Sequence, residues 1–149
     1  MVTKTKKYDI TISVLKECIE KCCKGYKVLR HGVKIEYPDT EIYEVVFSNN
    51  NQEIWFNYLE KNIRNEIIDS FNILILKDRQ HFFSFQTYLK TIGIKNPEEK
   101  MKLINYEGDF QECLTKFCEF ITGIFSNQLH KVLKGDEWIN VGMDWGPYK

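Results

Sequence analysis

The sequence predicts an α+β domain: an N-terminal helix, a four- to five-stranded antiparallel meander sheet, and three C-terminal helices packed on the sheet. Two changes of period predict it. Apolar residues recur at helical spacing over residues 11–24, give way to β-branched and aromatic segments over residues 26–76, and return to helical spacing from residue 82 onward. Short turn-forming links between the strand segments make the sheet antiparallel, and helices covering its apolar face complete an α+β arrangement.

The first element runs from Thr11 to Lys24, where Val14, Leu15, Cys18, Ile19 and Cys22 line one helix face and Gly25 ends it. Residues 26–30 and 33–37 then flank His31-Gly32, which reads as a tight hairpin link because the glycine can take a positive φ. A second hairpin joins Glu41–Ser48 to Glu53–Leu59 across Asn49-Asn50-Asn51-Gln52. In its second arm Ile54, Phe56 and Tyr58 alternate with Glu53, Trp55 and Asn57, so one face is apolar and the other keeps a tryptophan. Ile67–Leu76 is one more strand, ending at Lys77-Asp78.

Phe82, Phe85, Leu89 and Ile92 fit a helix closed by Gly93. Asn96-Pro97-Glu98-Glu99 supplies an N-cap, an N1 proline and a capping-box glutamate for a short helix to Ile104. The longest stripe spans Asp109 to Lys134: Phe110, Leu114, Phe117, Cys118, Ile121, Ile124, Phe125, Leu129, Val132 and Leu133. Asp109 caps it, Glu112 completes the box and Gly135 ends it.

At 149 residues and 17.8 kDa the chain reads as a single domain, 1–149. Size scaling lets about 69% of the unfolded surface be buried, enough for a core without metal or disulfide staples. Hydrophobic, charged and aromatic fractions of 43%, 28% and 14% exclude a disordered chain. No apolar run reaches membrane-span length, and the basic start lacks the apolar core of a signal peptide, so the expected location is the cytoplasm.

Lys plus Arg and Asp plus Glu each total 21, so no general field draws the protein to nucleic acid or anionic lipid. The zero is a cancellation of blocks. Residues 1–30 carry eight bases and three acids, whereas residues 31–60 carry Lys34 against Glu36, Asp39, Glu41, Glu44, Glu53 and Glu60. The five cysteines, Cys18, Cys22, Cys23, Cys113 and Cys118, show no Cys-x-x-Cys spacing and read as reduced core residues, with no metal site. No glycine-rich nucleotide fingerprint is present, His31, His81 and His130 are scattered, and no cofactor is indicated. No catalytic residue stands out, since carboxylate pairs such as Glu41 with Glu44 or Asp136 with Glu137 arise easily among 21 acids.

Two features bear on the choice between binding and packing. Outward Trp55 among Glu36, Asp39, Glu41, Glu44 and Glu53 either has the composition of a patch that docks a basic protein or is covered by one of the helices. The tail from Gly135 to Lys149 carries Trp138, Trp145 and Tyr148, which either fold back onto the domain or form an arm.

In layout the chain resembles the small bacterial immunity proteins encoded beside polymorphic toxins. The likeness lies in the order helix, β-meander, helices, in the acidic sheet region, and in the closing run from Tyr106-Glu107-Gly108-Asp109-Phe110 to Gly135-Asp136-Glu137-Trp138 and Asp144-Trp145. It implies stoichiometric inhibition without catalysis: an acidic face covering the active site of a cognate basic toxin. The basic N-terminal block departs from that pattern and must lie away from the acidic face. Two other classes stay open, a small hydrolase using a Cys or a carboxylate pair and a regulatory or structural subunit, as does the choice between monomer and homodimer.

Overall fold

A computed structural model describes residues 3–36, 38–103 and 109–139 of the chain. Helix α1 (Lys4–Cys22) leads into strands β1 (Lys27–Glu36), β2 (Thr40–Ser48), β3 (Glu53–Ile63) and β4 (Glu66–Leu76). A short strand β5 (Phe82–Ser84) passes directly into helix α2 (Phe85–Thr91), followed by a single turn α3 (Pro97–Lys100) and strand β6 (Lys102–Leu103). Helices α4 (Phe110–Asn127) and α5 (His130–Lys134) close the described chain. The sheet has six strands, all antiparallel, in the order β1-β2-β3-β4-β5, and β6 also pairs with β4. The expected α+β architecture is therefore present.

Strand alternation sorts the sheet into two unlike faces. Tyr43, Val45 and Phe47 on β2, Ile54, Phe56 and Tyr58 on β3, and Phe71, Ile73 and Ile75 on β4 are buried. They form one core with Leu15 and Ile19 of α1 and with Phe110, Leu114, Phe117, Cys118 and Ile121 of α4. Ring pairs tie the layers together, with Phe71 stacked on Phe117 at 4.8 Å and Phe85 edge-on to Phe125 at 5.5 Å. Further across, the Tyr26 hydroxyl donates to the Leu133 carbonyl at 2.7 Å and fixes α5 against the start of β1. The opposite face is built from Arg30, Lys34, Glu44, Val46, Trp55, Asn57 and Leu74, and the α1/α4 layer does not cover it.

Several boundaries differ from expectation, each for a local reason. His31-Gly32 is not a turn: β1 runs unbroken through it, Gly32 pairs with Glu44, and its φ is not positive. Ladder bonds along β2 outweigh the local turn signal, and the chain reverses between Glu36 and Thr40 instead. The hairpin that sequence missed joins β3 to β4 through Arg64 and Asn65, both at positive φ (53° and 67°), the geometry of a two-residue primed turn.

Helix α1 starts at Lys4 rather than Thr11, because the Thr3 hydroxyl accepts from the Lys6 amide at 3.2 Å and Lys7, Tyr8 and Thr11 extend the buried face. At α2, Ser84 is the cap. Asn96 sits in the left-handed region with no side-chain cap bond, so the expected capping motif does not form and only one turn follows. Asp109 caps α4 as expected, whereas Glu112 pairs outward with Lys116 at 3.6 Å. The stripe expected as one helix breaks after Asn127: the Leu129 amide reaches back to the Ile124 carbonyl at 3.1 Å, and Leu129 turns inward.

Candidate functional site

The sheet face away from the α1/α4 layer carries a half-buried tryptophan. Trp55 projects from β3 between Val46 of β2 and Leu74 of β4. Its indole N–H donates to the Glu53 carboxylate at 2.7 Å, and the Arg30 guanidinium lies 5.2 Å from its ring. Glu44 accepts from Arg30 and from Lys34, each at 3.3 Å, so two bases of β1 neutralise the most central acid of this face. The ring is partly buried by neighbouring strand residues rather than by a helix layer.

Toward the other end of this face lies a groove of about 360 Å³, lined by Glu36, Ile42, Asn57, Asn72 and Gln86 among others. Gln86 of α2 donates to the Asn72 side-chain oxygen at 3.2 Å. The buried Oδ1 of Asn57 and Oε1 of Gln86 have no donor among the described residues. Both residues line the groove, and a buried acceptor without a partner is costly, so a small shift of either amide toward an N–H donor in the groove would be favoured.

Of the acids expected to form one patch, the structure gathers Glu44 and Glu53 around Trp55 and places Glu36 at the groove. Asp39 lies exposed in the β1–β2 turn. Glu41 projects to the helix-covered side, where it accepts from the Tyr8 hydroxyl. Tyr8 in turn stacks on Tyr43 at 4.7 Å, and burial together with the Glu41 hydrogen bond pushes the Tyr8 pKa well up. The residues sequence reading missed are Arg30, Lys34, Asn57, Asn72 and Gln86. Of these Asn57 was legible, because it shares its strand face with Trp55.

Two other polar clusters lie elsewhere. On the helix side Lys7 is 4% exposed, with Glu60 at 2.8 Å, Asp69 at 3.2 Å and the Phe110 ring 5.4 Å away. Tyr58 donates to the same Asp69. This network ties α1 to β3 and β4 inside the protein. At the α1–α4 contact, Cys22 Sγ lies 3.0 Å from Ser126 Oγ and 3.6 Å from Cys23 Sγ, beside a hollow of about 280 Å³ that His130 also lines. The Cys23 and Ser126 hydrogen bonds, working against burial, lower the Cys22 pKa to about 6.

A thiol reagent is therefore expected to label Cys22 first and Cys118, 1% exposed, last. Because the thiolate is the reactive form and predominates above the pKa, the Cys22 rate should reach half its maximum near pH 6. Peptide mapping of labelled protein across pH checks both statements; a half-maximum at the ordinary thiol value would overturn the second.

Among the described residues no group of three or more His, Cys, Asp or Glu side chains is placed to hold a metal ion, and no helix is long and apolar enough to cross a membrane. Compared with known proteins, the chain matches no family model, no curated protein and no solved structure.

Proposed function

We propose that the protein is a stoichiometric binding inhibitor of the immunity type, which docks a cognate toxin on the uncovered sheet face. The observation that carries this reading is that face itself. It presents an aromatic anchor, Trp55, held by Glu53 and Arg30, beside a groove lined by Asn57 and Gln86, whose buried side-chain oxygens lack donors among the described residues. A rigid, partly desolvated tryptophan within a polar surround has the make-up of a binding hot spot. The groove lining is balanced, Glu36 and Glu98 against Lys61 and Lys102, so N–H donors of a partner would meet it through hydrogen bonds rather than through net charge. Recognition in this reading is by shape and hydrogen bonding more than by bulk negative charge, because Glu44 is already paired with Arg30 and Lys34.

Trp55→Ala is expected to weaken the complex by about 2 kcal/mol or more, chiefly through faster dissociation. The test co-expresses the protein with the toxin encoded beside it and reads growth, with the melting temperature of each variant as a control for folding. Wild type should protect, and Trp55→Ala should lose protection while keeping its melting temperature within a few degrees. Full protection by a folded Trp55→Ala protein, or none by wild type, would sink the reading.

A further inference from the structure

Strand β1 is one edge of the sheet, and among the described residues nothing pairs with its outer side. An unpaired strand of ten residues offers a row of backbone donors and acceptors to any matching strand. Natural edges are blunted by proline, short length, a cover, charged side chains or a bulge, and β1 carries the last two in Lys27, Arg30, Lys34 and the step after Val28. β1 has no proline, and Leu29, Val33 and Ile35 are 52%, 52% and 64% exposed. Its one irregularity is the bulge between Val28 and Arg30, which leaves Arg30 to Glu36 as a regular stretch of seven residues centred on Val33.

We propose that this edge is a self-complementary dimer interface, in which β1 pairs antiparallel with β1 of a second copy about a two-fold axis at Val33. This inference does not rest on the toxin-binding reading, although Arg30 and Glu36 belong to both surfaces.

The register follows from charge. Partners across an antiparallel junction lie on the same side of the sheet, so only registers that keep each face with itself are available. Centring on Val33 sets Arg30 opposite Glu36 of the second copy, His31 opposite Ile35, Gly32 opposite Lys34 and Val33 opposite itself. Moving the centre to Gly32 sets Arg30 against Lys34; moving it to Lys34 sets that lysine against its own copy. Like charges directly opposed destabilise a strand pair, so of these three registers only the Val33 register joins opposite charges and opposes none. The Arg30 side chain, 48% exposed, would exchange its contacts with Glu44 and the Trp55 ring for Glu36 of the second copy.

Val33 and Ile35 share the helix-side face with Tyr43, the cross-strand partner of Val33, yet lie beyond the cover of the helices. In the dimer these exposed apolar side chains from both copies meet. A two-fold contact of this kind closes on itself and does not propagate into a fibre.

The experiment is light scattering on the full chain during size exclusion at about 100 µM, where an interface with Kd near 1 µM is saturated. The expected mass is twice the 17.8 kDa of one chain. Val33→Lys, at an exposed site, is expected to return a monomer whose melting temperature matches the wild type's at about 0.1 µM, where neither associates, and falls below it at about 100 µM. Glu36→Arg is expected to weaken the dimer about tenfold, because two-fold symmetry counts each lost pair twice. Adding Arg30→Glu to Glu36→Arg recreates the pair with its charges exchanged and is expected to restore the dimer. A monomeric wild type at that concentration, or a Val33→Lys protein that remains dimeric, overturns the interface. Failure of the exchanged pair to restore association overturns the register.

Discussion

Asp69→Ala is expected to destabilise the protein by about 3 to 5 kcal/mol, the usual consequence of breaking a buried ion pair by removing one partner. Asp69 is 0% exposed and Lys7 4%, so neither meets bulk water. The carboxylate accepts from Lys7 at 3.2 Å and from the Tyr58 hydroxyl, and Glu60 holds Lys7 from the other side at 2.8 Å. Removing Asp69 takes one acceptor from the ammonium, which keeps Glu60, and one from the phenol. Much of the loss is therefore a penalty for what remains, rather than the net worth of the pair, and a double variant tests this. Lys7→Met with Asp69→Ala takes out both charges and should recover most of the lost stability in a denaturant titration. A single-variant loss below about 1 kcal/mol would mean that Glu60 and water suffice for Lys7. Because the network joins α1 to β3 and β4, hydrogen exchange in Asp69→Ala should rise first at the start of α1.

Much of this fold was legible because its signals are local. The Asn49 side chain accepts from the Asn51 and Gln52 amides, and Asn50 takes φ 78°, so the polar run between β2 and β3 is the turn its composition announces. Gly25, Gly93 and Gly135 sit at positive φ near the ends of α1, α2 and α5, as their positions imply. His31-Gly32 misled for the opposite reason: its signal is local, while the ladder that overrides it is made with residues 44 and 45. That error hid the site's electrostatics. With β1 taken as two short arms, no register could place Arg30 and Lys34 over Glu44, and the acids of residues 36–53 read as an unopposed patch. Glu41 was legible by period alone, since it shares parity with Tyr43, Val45 and Phe47 and so belongs to the helix side. The contact of Cys22 with Ser126 spans 104 residues and no local rule reaches it. Of the tail, Trp138 packs on Phe83 at 5.3 Å, which favours fold-back, and Trp145 and Tyr148 lie outside the described residues.

Phe85→Ala is expected to cost about 3 to 5 kcal/mol, and with it about 6 to 20 °C of melting temperature for a domain of this size. Phe85 is the first residue of α2 and is 0% exposed; its ring meets Phe125 of α4 edge-on at 5.5 Å and lies 6.5 Å from Tyr88. A helix of seven residues does not persist by itself, so α2 exists because Phe85, Tyr88 and Leu89 anchor it to the core. Truncation leaves a cavity under its first turn that the surrounding rings cannot fill by small shifts. Phe85→Leu refills part of that space and should lose clearly less. The consequence reaches the uncovered sheet face, because the next residue, Gln86, donates to Asn72 in the groove there. Faster hydrogen exchange through α2, together with weakened partner binding in a protein still folded at low temperature, is the expected pattern. A Phe85→Ala protein that melts within about 2 °C of wild type would show that α2 is held by Tyr88 and Leu89 alone, and that the groove does not depend on this ring.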